Sequence, residues 1–163
     1  MKHLTKLLAA ALLALGLNQA VWADDASVFR ETLQLAEQEN AEAQFNLGTM
    51  YDSGQGVRQD YAAAVRWYRK AAEQGVAEAQ NNLGGMYHNG LGVRQDYAEA
   101  AKWFRQAAEQ GYAEAQYNLG AMYFTGGGVH QDFHLSKEWF GKACDGGVQE
   151  GCGQYRYLNQ KGY

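Results

Sequence analysis

Hydrophobic residues recur along the chain with the spacing of an amphipathic α-helix. From residue 41 onward, apolar residues fall at positions i, i+4, i+7 and i+8, which places them on one helical face. This stripe occurs three times at intervals of 36 residues: Ala43, Leu47, Met50 and Tyr51, then Ala79, Leu83, Met86 and Tyr87, then Ala115, Leu119, Met122 and Tyr123. The pattern predicts three equivalent helices, each presenting one apolar face to its neighbours.

A second type of helix is predicted after each of these stripes, with large aromatic residues opposite small alanines. The aromatic positions are Tyr61, Trp67 and Tyr68, then Tyr97, Trp103 and Phe104, then Phe133, Trp139 and Phe140. Asp60, Asp96 and Asp132 precede these helices and are placed to accept hydrogen bonds from free backbone N–H groups at the helix start. Glu99, three residues after Asp96, also predicts a reciprocal capping box in the middle unit.

Two of the glycine positions that recur in every unit bear on the first helix. One group follows the first helix and is predicted to end it in the left-handed backbone conformation. The other group lies inside the first helix, where each glycine costs about 1 kcal/mol relative to alanine. The two groups are Gly54, Gly90 and Gly126, and Gly48, Gly84 and Gly120, respectively. Because the cost recurs in every unit, the interior glycines predict a close approach of a neighbouring helix.

The 36-residue repetition predicts an all-α protein made of stacked units. A pair of helices this short cannot bury its apolar face alone, so the units must pack on one another. We expect repeats at residues 41–76, 77–112 and 113–148. Residues 24–40 have the apolar spacing of one more second helix and are predicted to form an N-terminal capping helix. Residues 149–163 restart the first-helix pattern and are predicted to form a C-terminal capping segment.

The first 23 residues have the features of a secretory signal peptide. Lys2, His3 and Lys6 precede an apolar run from Leu7 to Leu17, and residues 21–23 supply small residues before the expected cleavage point after Ala23. The run is shorter than the roughly 20 apolar residues that a membrane-spanning helix needs, although a membrane anchor is the alternative. We expect a periplasmic or secreted protein with no membrane span after cleavage.

Charge and cysteine content narrow the classes of partner. The net charge is −4, from 14 basic and 18 acidic residues, and no stretch concentrates Lys and Arg. A nucleic-acid partner is therefore not expected, because binding to phosphates requires a basic patch. The two cysteines, Cys144 and Cys152, follow the predicted signal peptide. An even number in an exported chain favours one disulfide, with two free thiols as the alternative.

Residues that could hold a metal or cofactor have structural explanations. His130, Asp132 and His134 have side chains that bind zinc or nickel. However, Asp132 occupies the position of the capping aspartates, and the two histidines replace residues predicted to face solvent. The glycines at 126–128 follow a helix and lack the Lys-Ser/Thr pair of a phosphate-binding loop. We expect no metal and no cofactor.

Three motifs recur through the units: AEAQ(F/N/Y)NLG, G-x-G-V-x-Q-D and W-(Y/F)-x-x-A-A-E-Q-G. By these motifs the chain resembles the Sel-one-like repeat (SLR) family, relatives of the tetratricopeptide solenoids. The resemblance covers residues 41–147 and implies a right-handed α/α superhelical solenoid of helix-turn-helix repeats. It also implies a scaffold or adaptor role, and we expect no enzymatic activity.

The two cysteines point to one subgroup of that family. Cys144 and Cys152 would join the end of a second helix to the start of the next first helix, a placement that resembles the Helicobacter cysteine-rich SLR proteins. That resemblance implies penicillin binding or weak β-lactamase activity as an alternative function. The usual serine β-lactamase motif, Ser-x-x-Lys, is absent, since no lysine follows Ser27, Ser53 or Ser136 at that spacing.

Positions that differ between the repeats are candidates for binding a partner, because positions shared by all units serve packing. On the first helices the differing positions are Phe45, Thr49 and Asp52, then Asn81, Gly85 and His88, then Tyr117, Ala121 and Phe124. The resemblance to related solenoids implies that first helices line the concave surface. We predict a groove there for a protein or peptide of the bacterial envelope, with a peptidoglycan-related ligand also left open. The alternative is that these are ordinary solvated or packing positions.

Overall fold

A computed structural model describes residues 24–163, and this part of the chain is helical, without strands. Its helices are α1 (24–37), α2 (Ala41–Ser53), α3 (Tyr61–Glu73), α4 (Ala77–Asn89), α5 (Tyr97–Glu109), α6 (Ala113–Thr125), α7 (Phe133–Asp145) and α8 (Gln149–Gln160). Consecutive helices pack against each other along the chain. The predicted α/α solenoid of helix-turn-helix repeats is thus confirmed.

Residues 1–23 lie outside the described part, and the predicted signal peptide falls on them. Within residues 24–163, no helix combines the length and the apolar character needed to cross a membrane.

The recurring interior glycines, Gly48, Gly84 and Gly120, each lie against an aromatic ring from the second helix of the same unit. A Cβ at Gly84 would lie 2.8 Å from Cδ1 of Phe104, and one at Gly48 would lie 2.5 Å from Cδ1 of Tyr68. Both rings are buried. The predicted close approach is confirmed, because only glycine leaves room for the ring at this helix crossing.

The helix ends follow the sequence prediction, apart from the capping box. Gly54, Gly90 and Gly126 have φ angles of 79°, 70° and 76°, as predicted for left-handed caps. Side chains of the three aspartates accept hydrogen bonds from backbone N–H groups in the first turns of α3, α5 and α7.

The predicted capping box at Glu99 is wrong. The backbone N–H of Asp96 already donates to the carbonyl oxygen of Tyr87, at 3.0 Å. The Glu99 carboxylate instead forms an ion pair with Lys102, at 3.2 Å. Because the preceding helix supplies the acceptor for Asp96, the glutamate has no backbone donor to reach.

Buried glutamines connect successive units. Nε2 of Gln80 donates to the carbonyl oxygen of Ala72, at the end of α3. Oε1 of Gln80 accepts from Nε2 of Gln110, at 2.7 Å. We call the place where one unit meets the next a joint. The joint before this one has both bonds 36 residues earlier, through Gln44. A buried side-chain amide thus ties each first helix to a neighbouring second helix.

The last joint uses a disulfide at the same place. Cys144 and Cys152 occupy the positions of Ala72 and Gln80, and their Cα atoms are 4.6 Å apart in a disulfide. The predicted disulfide is confirmed. A covalent bond between α7 and α8 therefore replaces the glutamine–carbonyl hydrogen bond of the earlier joints.

Candidate binding face on the first helices

The nine positions singled out by their variation lie on α2, α4 and α6, three on each helix. We call them together the first-helix face. Thr49 and His88 are exposed, and the other seven are partly buried. The three helices differ in what these positions contact.

The α2 part of the face is closed by the protein's own side chains. The buried Tyr68 hydroxyl lies 3.3 Å from Oδ2 of Asp52 and 3.4 Å from Oγ1 of Thr49. The ring of Phe45 packs on Tyr68 with centroids 6.0 Å apart. Burial raises the pKa of Tyr68, because its phenolate would lose hydration, and the nearby Asp52 carboxylate acts in the same direction.

The aromatic residues of α6 also have partners within the chain. Tyr117 packs on Phe140 with ring centroids 5.3 Å apart. Phe124 lies between Phe133, at 5.5 Å, and Tyr157, at 6.5 Å. These aromatic residues are therefore partly used in packing within the last repeat and against α8, and only their remaining surface faces solvent.

The middle of the face contains a cleft of about 600 Å³ between α4 and α6. We call it the α4–α6 cleft. Its lining includes three of the nine candidate positions, Gly85, His88 and Ala121. The other lining residues are Asn89, Tyr97, Phe104, Asn118, Met122, Thr125, Gly126 and Gly127. Asn81 borders it indirectly, since its Oδ1 accepts from Nδ2 of Asn118 at 2.9 Å.

The cleft exists because small or shorter groups replace larger ones. Gly85 occupies the place of Thr49, and Phe104 occupies the place of Tyr68. The middle unit therefore lacks the threonine side chain and the tyrosine hydroxyl that the first unit has, in what we call the first joint. A Cβ added at Gly85 would meet nothing within 4 Å. The sequence identifies Gly85 as a variable position. It did not identify Phe104 as part of the cleft, although the change from tyrosine at position 68 to phenylalanine at position 104 was visible in the sequence.

The candidate metal ligands serve other roles. Oδ1 of Asp132 accepts from the backbone N–H groups of His134 and Leu135, at 2.9 and 3.0 Å. Nδ1 of His130 lies 3.0 Å from the carbonyl oxygen of Gln131. Across residues 24–163, no three His, Cys, Asp or Glu side chains gather in a way that could hold a metal ion.

The serines are likewise bonded to backbone. Ser136 is fully buried and donates to the carbonyl oxygen of Gly120, at 2.9 Å. Ser53 donates to Thr49, at 2.8 Å, and Ser27 to Asp24, at 2.7 Å. None of these hydroxyls is paired with a base that would activate it as a nucleophile.

Family comparison identifies the repeated unit. The Sel1 repeat model matches residues 41–76, 77–112 and 113–148, about two thirds of the chain. The chain belongs to the Sel1 repeat family. The resemblance found from the motifs is thereby confirmed, and Sel1 repeat proteins generally act as non-enzymatic scaffolds that bind other proteins.

Solved structures of Sel1 repeat proteins share the fold. A protective antigen of uropathogenic Escherichia coli with an SLR fold is 47% identical, with a TM-score of 0.79 over 80% of this chain and 28% of the antigen. A Sel1 repeat protein from Oxalobacter formigenes is 33% identical, with a TM-score of 0.82 over 93% of this chain and 62% of that protein. The chain thus spans less than two thirds of either relative.

Cysteine-rich protein B of Helicobacter pylori is a more distant neighbour. It is 22% identical, with a TM-score of 0.65 over 82% of this chain and 96% of the Helicobacter protein. At this identity the likeness concerns the fold alone. No curated protein is significantly similar to the chain.

Proposed function

We propose that this Sel1 repeat protein is an exported bacterial scaffold that binds a protein or peptide of the cell envelope through the first-helix face, on the concave side of the solenoid. The observation that carries the proposal is the α4–α6 cleft, which lies within this face. A peptidoglycan-related ligand would be a polymer of the same compartment and is an outcome that the experiment below can reveal.

The architecture supports a binding role. The joints on both sides of the cleft are fixed, by glutamine bonds on one side and by the disulfide on the other. A cleft held in this way is formed before the partner arrives, so little conformational entropy is lost on binding. Three of the nine positions that differ between repeats line it, whereas the packing residues are shared.

The disulfide supports export, because such bonds persist in oxidising compartments and are rare in the cytosol. Export is tested by fractionating cells and measuring the mass of the mature chain. A periplasmic or secreted form that begins at Asp24 is expected. A cytosolic form that retains residues 1–23 would contradict this part of the proposal.

Partner binding is tested by site-specific photo-cross-linking in intact cells, with benzoylphenylalanine at position 88 or at position 102. His88 is exposed on the first-helix face, whereas Lys102 is exposed on α5. A cross-linked species should form from position 88 and not from position 102. Equal yields from both positions, or none from position 88, would contradict binding through this face.

Penicillin binding or weak β-lactamase activity is the second candidate, favoured by the disulfide that joins α7 to α8. The backbone bonds of all three serines count against an acyl-enzyme. Incubation with a chromogenic cephalosporin is expected to give hydrolysis at the rate of buffer alone. Turnover well above that rate would make the enzyme the better description.

A further inference from the structure

We propose that the α4–α6 cleft binds a neutral aromatic side chain of the partner, that is, a phenylalanine or tyrosine ring. This inference rests on the proposed function, since it names the chemical group that the first-helix face recognises. The other repeats show which residues occupy the same space elsewhere in the chain.

In the last joint, two partly exposed aromatic rings of the chain lie at the equivalent positions. Tyr157 and Tyr163 stand 36 residues after Ala121 and Gly127, which line the cleft. The ring of Tyr163 lies 4.6 Å from that of Phe133, and the ring of Tyr157 lies 6.5 Å from that of Phe124. In this joint, therefore, the residues that lie at the equivalent positions are aromatic.

The α4–α6 cleft keeps the walls of that arrangement and lacks the occupant. Tyr97 and His88 occupy the places of Phe133 and Phe124, and their rings meet edge to face with centroids 5.1 Å apart. Ala121 and Gly127 replace the two tyrosines. The rings of Tyr97 and His88 therefore border a space that lacks the two tyrosine rings of the last joint.

The first joint shows that the space can also be closed with polar groups. There the Tyr68 hydroxyl, Thr49 and Asp52 meet, as described above. The middle joint lacks this hydroxyl and has Gly85 and His88 in place of Thr49 and Asp52. Of the three joints between residues 41 and 163, the middle one has neither the polar groups of the first joint nor the two tyrosine rings of the last.

The cleft lining favours a neutral ring over a charged or strongly polar group. No lining residue is Asp, Glu, Lys or Arg. Two polar side chains are already bonded within the protein: Nδ2 of Asn118 donates to Asn81, and Oγ1 of Thr125 donates to the carbonyl oxygen of Ala121. Offset or edge-to-face contacts with Tyr97 and Phe104 then favour an aromatic ring over an aliphatic side chain.

The test titrates the isotopically labelled protein with N-acetyl-phenylalanine amide, N-acetyl-tyrosine amide and N-acetyl-leucine amide, followed by amide NMR spectra. The aromatic amides should shift the signals of Gly85, Gly126 and Gly127 at millimolar concentrations, with an affinity at least about tenfold above that of the leucine amide. Equal affinities for the three amides, or shifts outside the cleft only, would overturn the proposal.

Variants built from the chain's own residues locate the binding. Gly85→Thr with Phe104→Tyr copies the first joint, and Ala121→Tyr copies Tyr157 in the last joint. Either change should abolish the shifts, whereas Ala62→Tyr, at an exposed position of α3, should leave them unchanged. Retained binding in a filled variant whose spectrum shows a native fold would overturn the site.

The two proposals fail in different ways. If the aromatic amides do not bind the cleft while position 88 still cross-links a partner in cells, the aromatic specificity is wrong and the scaffold function stands. If the amides bind but position 88 captures nothing, the pocket is real and the scaffold function is wrong.

Discussion

At the scale of single residues, neighbouring glycines on α4 have opposite roles. A Cβ at Gly84 would press on the buried ring of Phe104, whereas one at Gly85 would enter the open cleft. The first glycine is required by packing and the second is not. Gly85 therefore costs helix stability without a packing reason, as expected for a position that keeps a binding cleft open.

Alanine substitutions separate these roles. Gly84→Ala should destabilise the protein by about 1–3 kcal/mol, because the core around Phe104 must shift. Gly85→Ala, the matched control on the same helix, should stabilise it by up to about 1 kcal/mol through helix propensity. Urea unfolding measures both. Equal effects of the two changes would contradict the assigned packing role of Gly84.

Tyr68 gives a pH dependence at the same scale. Its pKa is raised above 10.0 by burial, so the unfolded chain loses the phenol proton at lower pH than the folded protein does. Its contribution to stability is thus fully present below pH 10 and is lost as the pH rises through the folded pKa. Urea midpoints above pH 10 should fall less steeply for Tyr68→Phe than for the unchanged protein. Parallel slopes would show that Tyr68 titrates normally.

At the scale of elements, the joints between units carry the stability of the stack. Where α2, α4 and α6 follow the preceding helix, a glutamine amide bonds a carbonyl oxygen, and where α8 follows α7, Cys144 and Cys152 stand at the same two positions. Since units contact only their neighbours, a weakened last joint releases α8 first.

The exchange of a disulfide for a hydrogen bond can be reversed. Reduction should destabilise the protein by about 2–3 kcal/mol, as expected for so short a loop. Cys144→Ala with Cys152→Gln, which copies the earlier joints, should be insensitive to reductant. Its free energy of unfolding should exceed that of the variant with Cys144→Ala and Cys152→Ala by about 1 kcal/mol, the contribution of one hydrogen bond. Identical stabilities of the two double variants would show that the glutamine bond does not form there.

At the scale of the whole molecule, the sequence predicts the fold well because packing positions repeat. The apolar stripe recurs three times, at Leu47, Leu83 and Leu119, and so do the capping aspartates. Each structural prediction is therefore supported by three copies of the same pattern. The cleft was harder to predict, because it arises from small groups on α4, α5 and α6 and in the loop after α6. Only the folded chain brings Gly85, Phe104 and Gly127 to one place.

The direct test of the account is cross-linking from position 88 in cells, compared between the unchanged protein and the variant with Gly85→Thr and Phe104→Tyr. Filling the α4–α6 cleft should lower the cross-linked yield about tenfold, equivalent to losing about 1.4 kcal/mol of binding, with the protein level unchanged. An undiminished yield from the filled variant would contradict the claim that this cleft recognises the partner.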